Sequence, residues 1–69
     1  MPGKDAFTVE GVVIEVLSER TCRVKLANGH VLFGFVLARD RGKLRLAAGL
    51  VVNLKLSPYD LSEGRILVR

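Results

Sequence analysis

Cys22, Val24 and Leu26 alternate with Arg23 and Lys25, and the dipeptide Asn28-Gly29 follows at once. A period of two sets one side of the segment in a core and the other in water, which defines a strand rather than a helix. Asn-Gly readily takes positive φ at both central positions of a two-residue turn. The chain is therefore predicted to fold back into a second strand over residues 30–37. Around this hairpin the rest of the sequence must arrange itself, and 69 residues leave room for one domain, residues 1–69, with 1–6 flexible.

Three further apolar runs share the β-branched character of the hairpin. Gly11-Val12-Val13-Ile14-Glu15-Val16-Leu17 is nearly continuous, so its inward face stays open, and Ser18-Glu19-Arg20 ends it. Leu50-Val51-Val52-Asn53-Leu54-Lys55-Leu56 alternates, with Val52, Leu54 and Leu56 opposite Asn53 and Lys55. Pro58 removes a ladder donor, residues 60–64 read as a turn, and Arg65-Ile66-Leu67-Val68-Arg69 closes the series. Tyr59 is expected to be a turn residue packed against the sheet. Between the third and fourth runs, residues 38–46 carry a glycine and no strand pattern, and a loop or short helical turn is placed there. Five short strands are too few for a two-layer sandwich but sufficient to curl into a small barrel. The predicted class is all-β, a five-stranded oligonucleotide-binding barrel.

Charge is unevenly placed. The first 34 residues are neutral, and the whole net charge of +4 lies in the second half. Arg39, Arg41, Lys43 and Arg45 crowd one short segment with Asp40 as its only acid, a local field suited to a polyanion. A solvated, merely solubilising face explains the same cluster when it is taken alone. A single cysteine, Cys22, forms no internal disulfide and suits a reducing cytoplasm. The opening residues lack the apolar core of a signal peptide, and no uncharged run approaches the ~18 residues that span a bilayer, so no membrane is expected as partner.

The inventory for catalysis is thin. One His and one Cys are present, His30 and Cys22, and the carboxylates are spread singly. No catalytic residues, metal site or cofactor are expected, because a zinc site alone needs about four ligands and no glycine spacing matches a phosphate loop. Cys22, in step with Val24 and Leu26, is expected in the core. Gly34 breaks a strand between Phe33 and Phe35 and is expected to mark a barrel corner. The two rings share one side of their strand. They stack on bases if the smaller residues line the interior, or pack in the core if they do not, and periodicity leaves both open.

The stretches Glu10-Gly11-Val12-Val13, Arg23-Val24-Lys25-Leu26, Asn28-Gly29-His30-Val31 and above all Ser57-Pro58-Tyr59-Asp60-Leu61-Ser62-Glu63-Gly64-Arg65-Ile66 together resemble bacterial translation initiation factor 1, of the S1-like branch of oligonucleotide-binding folds. The resemblance runs nearly full length. It departs in the loop, where Leu37-Ala38-Arg39-Asp40-Arg41-Gly42 stands in place of the family's usual Ser-Gly-Lys-Met-Arg-Lys, the mark of a divergent member. It implies a non-enzymatic, monomeric, cytoplasmic factor that binds 16S ribosomal RNA at the aminoacyl-tRNA site of the small (30S) subunit, beside a ribosomal protein. It also implies cooperation with other initiation factors in start-site selection. By resemblance, Arg39, Arg41 and Arg45 belong to the basic loop, Arg65 and Arg69 to the closing strand and Asn28 and His30 to the hairpin tip. With Lys43 these are the expected RNA contacts, and Phe33 and Phe35 are candidates for base stacking. A general single-stranded RNA chaperone of the cold-shock type, or a protein-interaction module, would use the same surface differently.

Overall fold

The computed structural model describes residues 6–68. Five strands, β1 (Phe7–Val16), β2 (Thr21–Leu26), β3 (Val31–Phe35), β4 (Val51–Ser57) and β5 (Asp60–Ile66), close into a barrel in the order β1-β2-β3-β5-β4. Every pairing is antiparallel except β3 with β5, which run parallel and form the closing seam. Closure removes the free edges that a five-stranded sheet would otherwise present.

The interior is set by alternation. Cys22 and Val24 of β2, Leu32 of β3, Val52, Leu54 and Leu56 of β4, and Ile66 of β5 all point inward with Val13 and Val36. No polar or charged residue is buried among the described residues, so burial carries no desolvation cost. In β1 the ambiguity of the apolar run is resolved by Gly11 and Val13 facing inward, with Val12 exposed. Val13 stands opposite Val24 and Glu15 opposite Arg23, so Ile14 is the extra residue of a bulge that bends β1 over the barrel end.

Cys22 is fully buried, and burial pushes its thiol above the ordinary value. The thiolate is the reactive species. Alkylation of the native protein by iodoacetamide should therefore be slow and become fast only in denaturant. Rapid labelling without denaturant would contradict the packing.

Three expectations are corrected. The hairpin turn is not of the two-residue type: Leu26 N–H donates to His30 O at 2.8 Å and Gly29 N–H to Leu26 O at 2.9 Å, leaving residues 27–29 as a three-residue loop. Only Gly29 has positive φ, at 88°, while Asn28 does not. Asn28 instead accepts the His30 N–H through its side chain at 2.9 Å, an Asx turn. Second, β1 begins at Phe7 and β5 at Asp60, each earlier than the apolar runs suggest. Residues 60–63 are exposed on both sides, so they carry no alternation, yet Ser57 pairs with Asp60 and Glu63 with Phe33. The turn is confined to Pro58 and Tyr59. Third, Tyr59 is 83% exposed, so the packing expected for it is slight. The expectations for residues 1–5, and for Arg69 at the end of the closing run, fall outside the described residues.

Gly34 lies at a crowded point of the barrel wall. It is buried opposite Cys22 on one side and Gly64 on the other. A Cβ there would stand 2.9 Å from Val24 Cγ2, 3.1 Å from Ile66 Cδ1 and 3.2 Å from Cys22 Sγ. Gly64 is crowded in the same way, by Leu54 and Leu56, so the two paired glycines leave room for the core side chains beneath the seam.

Candidate nucleic-acid interface

After β3 a single 3-10 turn, Ala38–Asp40, opens the connection to β4. Leu44, Leu46 and Leu50 then fold back against the core and stop the barrel end. The loop is anchored on the bulged strand: Val13 N–H donates to Leu50 O at 2.8 Å, and Gly49 N–H to Val13 O at 2.7 Å. Because Leu44 and Leu46 turn inward, Lys43 and Arg45 turn outward, and Arg39 and Arg41 are exposed as well. The sequence pattern Lys-Leu-Arg-Leu is thus itself the device that displays the cations.

The β1–β2 turn sits at the same end, since Val36 N–H donates to Arg20 O at 2.8 Å. It brings Arg20 and Glu19 to the cluster. A groove of about 270 Å³ runs between this turn and the loop, lined by Ser18, Glu19, Gly42 and Arg45 above Val16, Leu44 and Leu46. Two loop cations face acids: Arg41 approaches Glu19 Oε1 at 3.9 Å and Lys43 approaches Asp40 Oδ1 at 3.6 Å. Such exposed pairs contribute about 0–1 kcal/mol, so a phosphate can displace either acid. Among the described residues Arg39 and Arg45 have no ion pair within 4.0 Å.

Asn28 and His30 stand at the opposite end, on the hairpin tip. The His30 ring Nε2 lies 2.9 Å from Leu61 O, which ties the hairpin to β5. Nearby, Ser62 donates both its hydroxyl and its N–H to Asp60 Oδ1, and these bonds hold the Asp60 carboxyl below the ordinary range.

Between the two ends lies the outer side of the strands. Leu32, Gly34 and Val36 point inward, so both phenylalanines are outside, Phe33 49% exposed and Phe35 half-buried. Phe33 is flanked in register by Arg23 of β2 and Glu63 of β5, and Phe35 by Thr21 and Arg65. The Arg23 Nε lies 3.3 Å from Glu15 Oε1. A shallow groove lined by Arg23, His30, Val31, Phe33 and Ser62 leads from this face towards the hairpin tip. The predicted residues therefore form three groups: Arg39, Arg41, Lys43 and Arg45 at one end, Asn28 and His30 at the other, and Phe33, Phe35 and Arg65 on the face joining them. Sequence reasoning missed Arg20, Arg23 and Lys55, whose places depend on register and on turn contacts that no local pattern encodes.

No cluster of three or more His, Cys, Asp or Glu residues able to hold a metal occurs among the described residues. In the same range no helix is long and apolar enough to cross a membrane.

A closed barrel of this strand order, with a cationic loop plugging one end and aromatic rings on the outer side of β3, defines the oligonucleotide-binding class. No family model matches the sequence. The solution structure of translation initiation factor 1 from the Wolbachia endosymbiont strain TRS of Brugia malayi superposes with a TM-score of 0.73 at 38% identity, over 96% of this chain and 79% of that one. The chain belongs to the translation initiation factor 1 family, as a divergent member.

Proposed function

We propose that the protein works in translation initiation as a binding factor rather than a catalyst, by occupying the aminoacyl-tRNA site of the small ribosomal subunit. The observation that carries this reading is the leucine-anchored loop, which presents Arg39, Arg41, Lys43 and Arg45 outward at one end of a family barrel. Arginine forks suit the phosphates and unpaired bases of ribosomal RNA. With the loop seated on 16S RNA, the body of the barrel fills the space that an elongator tRNA would enter, which biases the subunit towards correct start-site selection. Other initiation factors and a neighbouring ribosomal protein complete the assembly, and the factor acts as a single-domain cytoplasmic monomer.

Co-sedimentation with purified small subunits tests this directly. The protein should pellet with the subunits, and a second initiation factor of the same family should compete it off. Pelleting that resists such competition would refute the site. A general RNA-chaperone role is favoured by one observation, the outward Phe33 and Phe35. It predicts equal affinity for unstructured RNA and for the subunit.

A further inference from the structure

Lys55 of β4 and Arg65 of β5 are register partners on the outer side of the barrel. Their neighbours Leu54, Leu56, Gly64 and Ile66 all point inward, which fixes both cations outward. Residues directly opposite across a strand pair hold their Cβ atoms about 4.5–5.5 Å apart, and like charges so placed repel. No ion pair relieves the repulsion: among the described residues no carboxylate lies within 4.0 Å of either cation, and the acids Asp60 and Glu63 line an adjoining groove with Lys55, Phe35 and Arg65. Glu63 shares the face of β5, but its register partner is Phe33.

The register continues the pattern around the barrel. Thr8 stands opposite Lys55, Arg65 opposite Phe35, and Phe35 opposite Thr21, so one row crosses all five strands. A groove of about 310 Å³ lies along it, lined by Ala6, Phe35, Lys55, Leu56, Ser57 and Arg65. Two cations without an ion pair among the described residues, set beside an aromatic ring, match the two parts of one nucleotide. The arginine fork and the ammonium suit a phosphate, and the ring suits a base.

We propose that Lys55, Arg65 and Phe35 form a nucleotide-binding site for unpaired RNA on the β3-β5-β4 face, separate from the basic loop. It deepens the RNA-binding reading of the barrel and rests on that reading, but not on the loop. The phosphodiester bridges Lys55 and Arg65, and the attached base lies on Phe35. An acidic protein segment would satisfy the charges but would have no use for the ring.

Fluorescence anisotropy with a labelled short oligouridylate tests the assignment. Lys55→Gln should weaken binding about tenfold, the loss of one charge-assisted contact. Lys55→Gln/Arg65→Gln, which strips both cations from that phosphate, should also reduce the slope of log affinity against log salt by about 0.7, one phosphate on a single strand. Phe35→Leu should weaken binding with the slope unchanged. Lys55→Glu, which places an acid opposite Arg65, should raise the thermal midpoint while lowering RNA affinity further, and a merely structural lysine would not move the two in opposite directions.

Unchanged affinity in Lys55→Gln, or an unchanged slope in Lys55→Gln/Arg65→Gln, overturns the site. So does a labelled oligoglutamate that binds as tightly as the RNA and ignores Phe35→Leu. Loss of subunit co-sedimentation in Arg41→Ala/Arg45→Ala with oligouridylate binding intact in Lys55→Gln would reject this face and leave the loop reading standing. The reverse pattern would reject the loop and keep the face.

Discussion

Leu54→Ala should leave a protein that unfolds at a small fraction of the wild-type urea concentration. Leu54 is fully buried at the centre of β4, with Val9 and Ile66 as its register partners in β1 and β5. Truncating such a leucine costs about 2–5 kcal/mol, from lost transfer energy and from the cavity left behind. A chain of this length has a total stability of only about 3–10 kcal/mol. The loss is therefore comparable to everything that holds the barrel together, and the described residues form one core cluster with no second to absorb it. Chemical denaturation followed by circular dichroism should show the midpoint collapse. Val12→Ala, on the outer side of β1, should stay within about 0.5 kcal/mol of wild type. Equal midpoints for the two variants would mean that the inward and outward sides of the strands have been assigned wrongly.

The second large effect concerns binding. Arg41→Ala/Arg45→Ala should cut affinity for the small subunit about a hundredfold at physiological salt, if each arginine makes one charge-assisted contact of about 1.5 kcal/mol. The Arg41 contribution is the smaller, because that side chain must first leave Glu19 at 3.9 Å, an exchange worth at most about 1 kcal/mol. The salt dependence should fall in step, since fewer counterions are released when fewer phosphates are neutralised. Both side chains are exposed, so the fold should be unaffected, and thermal melting is the control. Sedimentation with the subunit that matches wild type at every salt concentration would remove the loop from the interface.

Most of the barrel could be read from residue order, because its interior is built by simple alternation. The strands β2 and β4 announced their inward sides through Cys22, Val24, Val52, Leu54 and Leu56. The position of the Asn28-Gly29 hairpin was legible, but its geometry was not. Asn-Gly serves a two-residue turn and a three-residue loop equally well, and the choice depends on whether Leu26 pairs with His30, a matter of register. The start of β5 was hidden for a different reason: Asp60, Leu61, Ser62 and Glu63 bury neither side, so nothing periodic marks them. The cationic loop was plain from composition, whereas its outward display depends on Leu44 and Leu46 reaching back to the core. Lys55 was read only as the polar side of a strand. Its significance arises from the residue across from it, which is chosen by folding and by no local rule.

The seam between β3 and β5 rests on three register pairs, Phe33 with Glu63, Gly34 with Gly64 and Phe35 with Arg65. It joins an N-terminal three-stranded meander to a C-terminal hairpin. A ligand that grips Phe35 and Arg65 together acts as a clasp across this join, and any ligand that binds only the closed form lends it stability in proportion to the logarithm of its concentration. Oligouridylate should accordingly raise the melting temperature of the wild type, and Phe35→Leu should blunt that rise. A melting temperature indifferent to RNA would uncouple the clasp from the join.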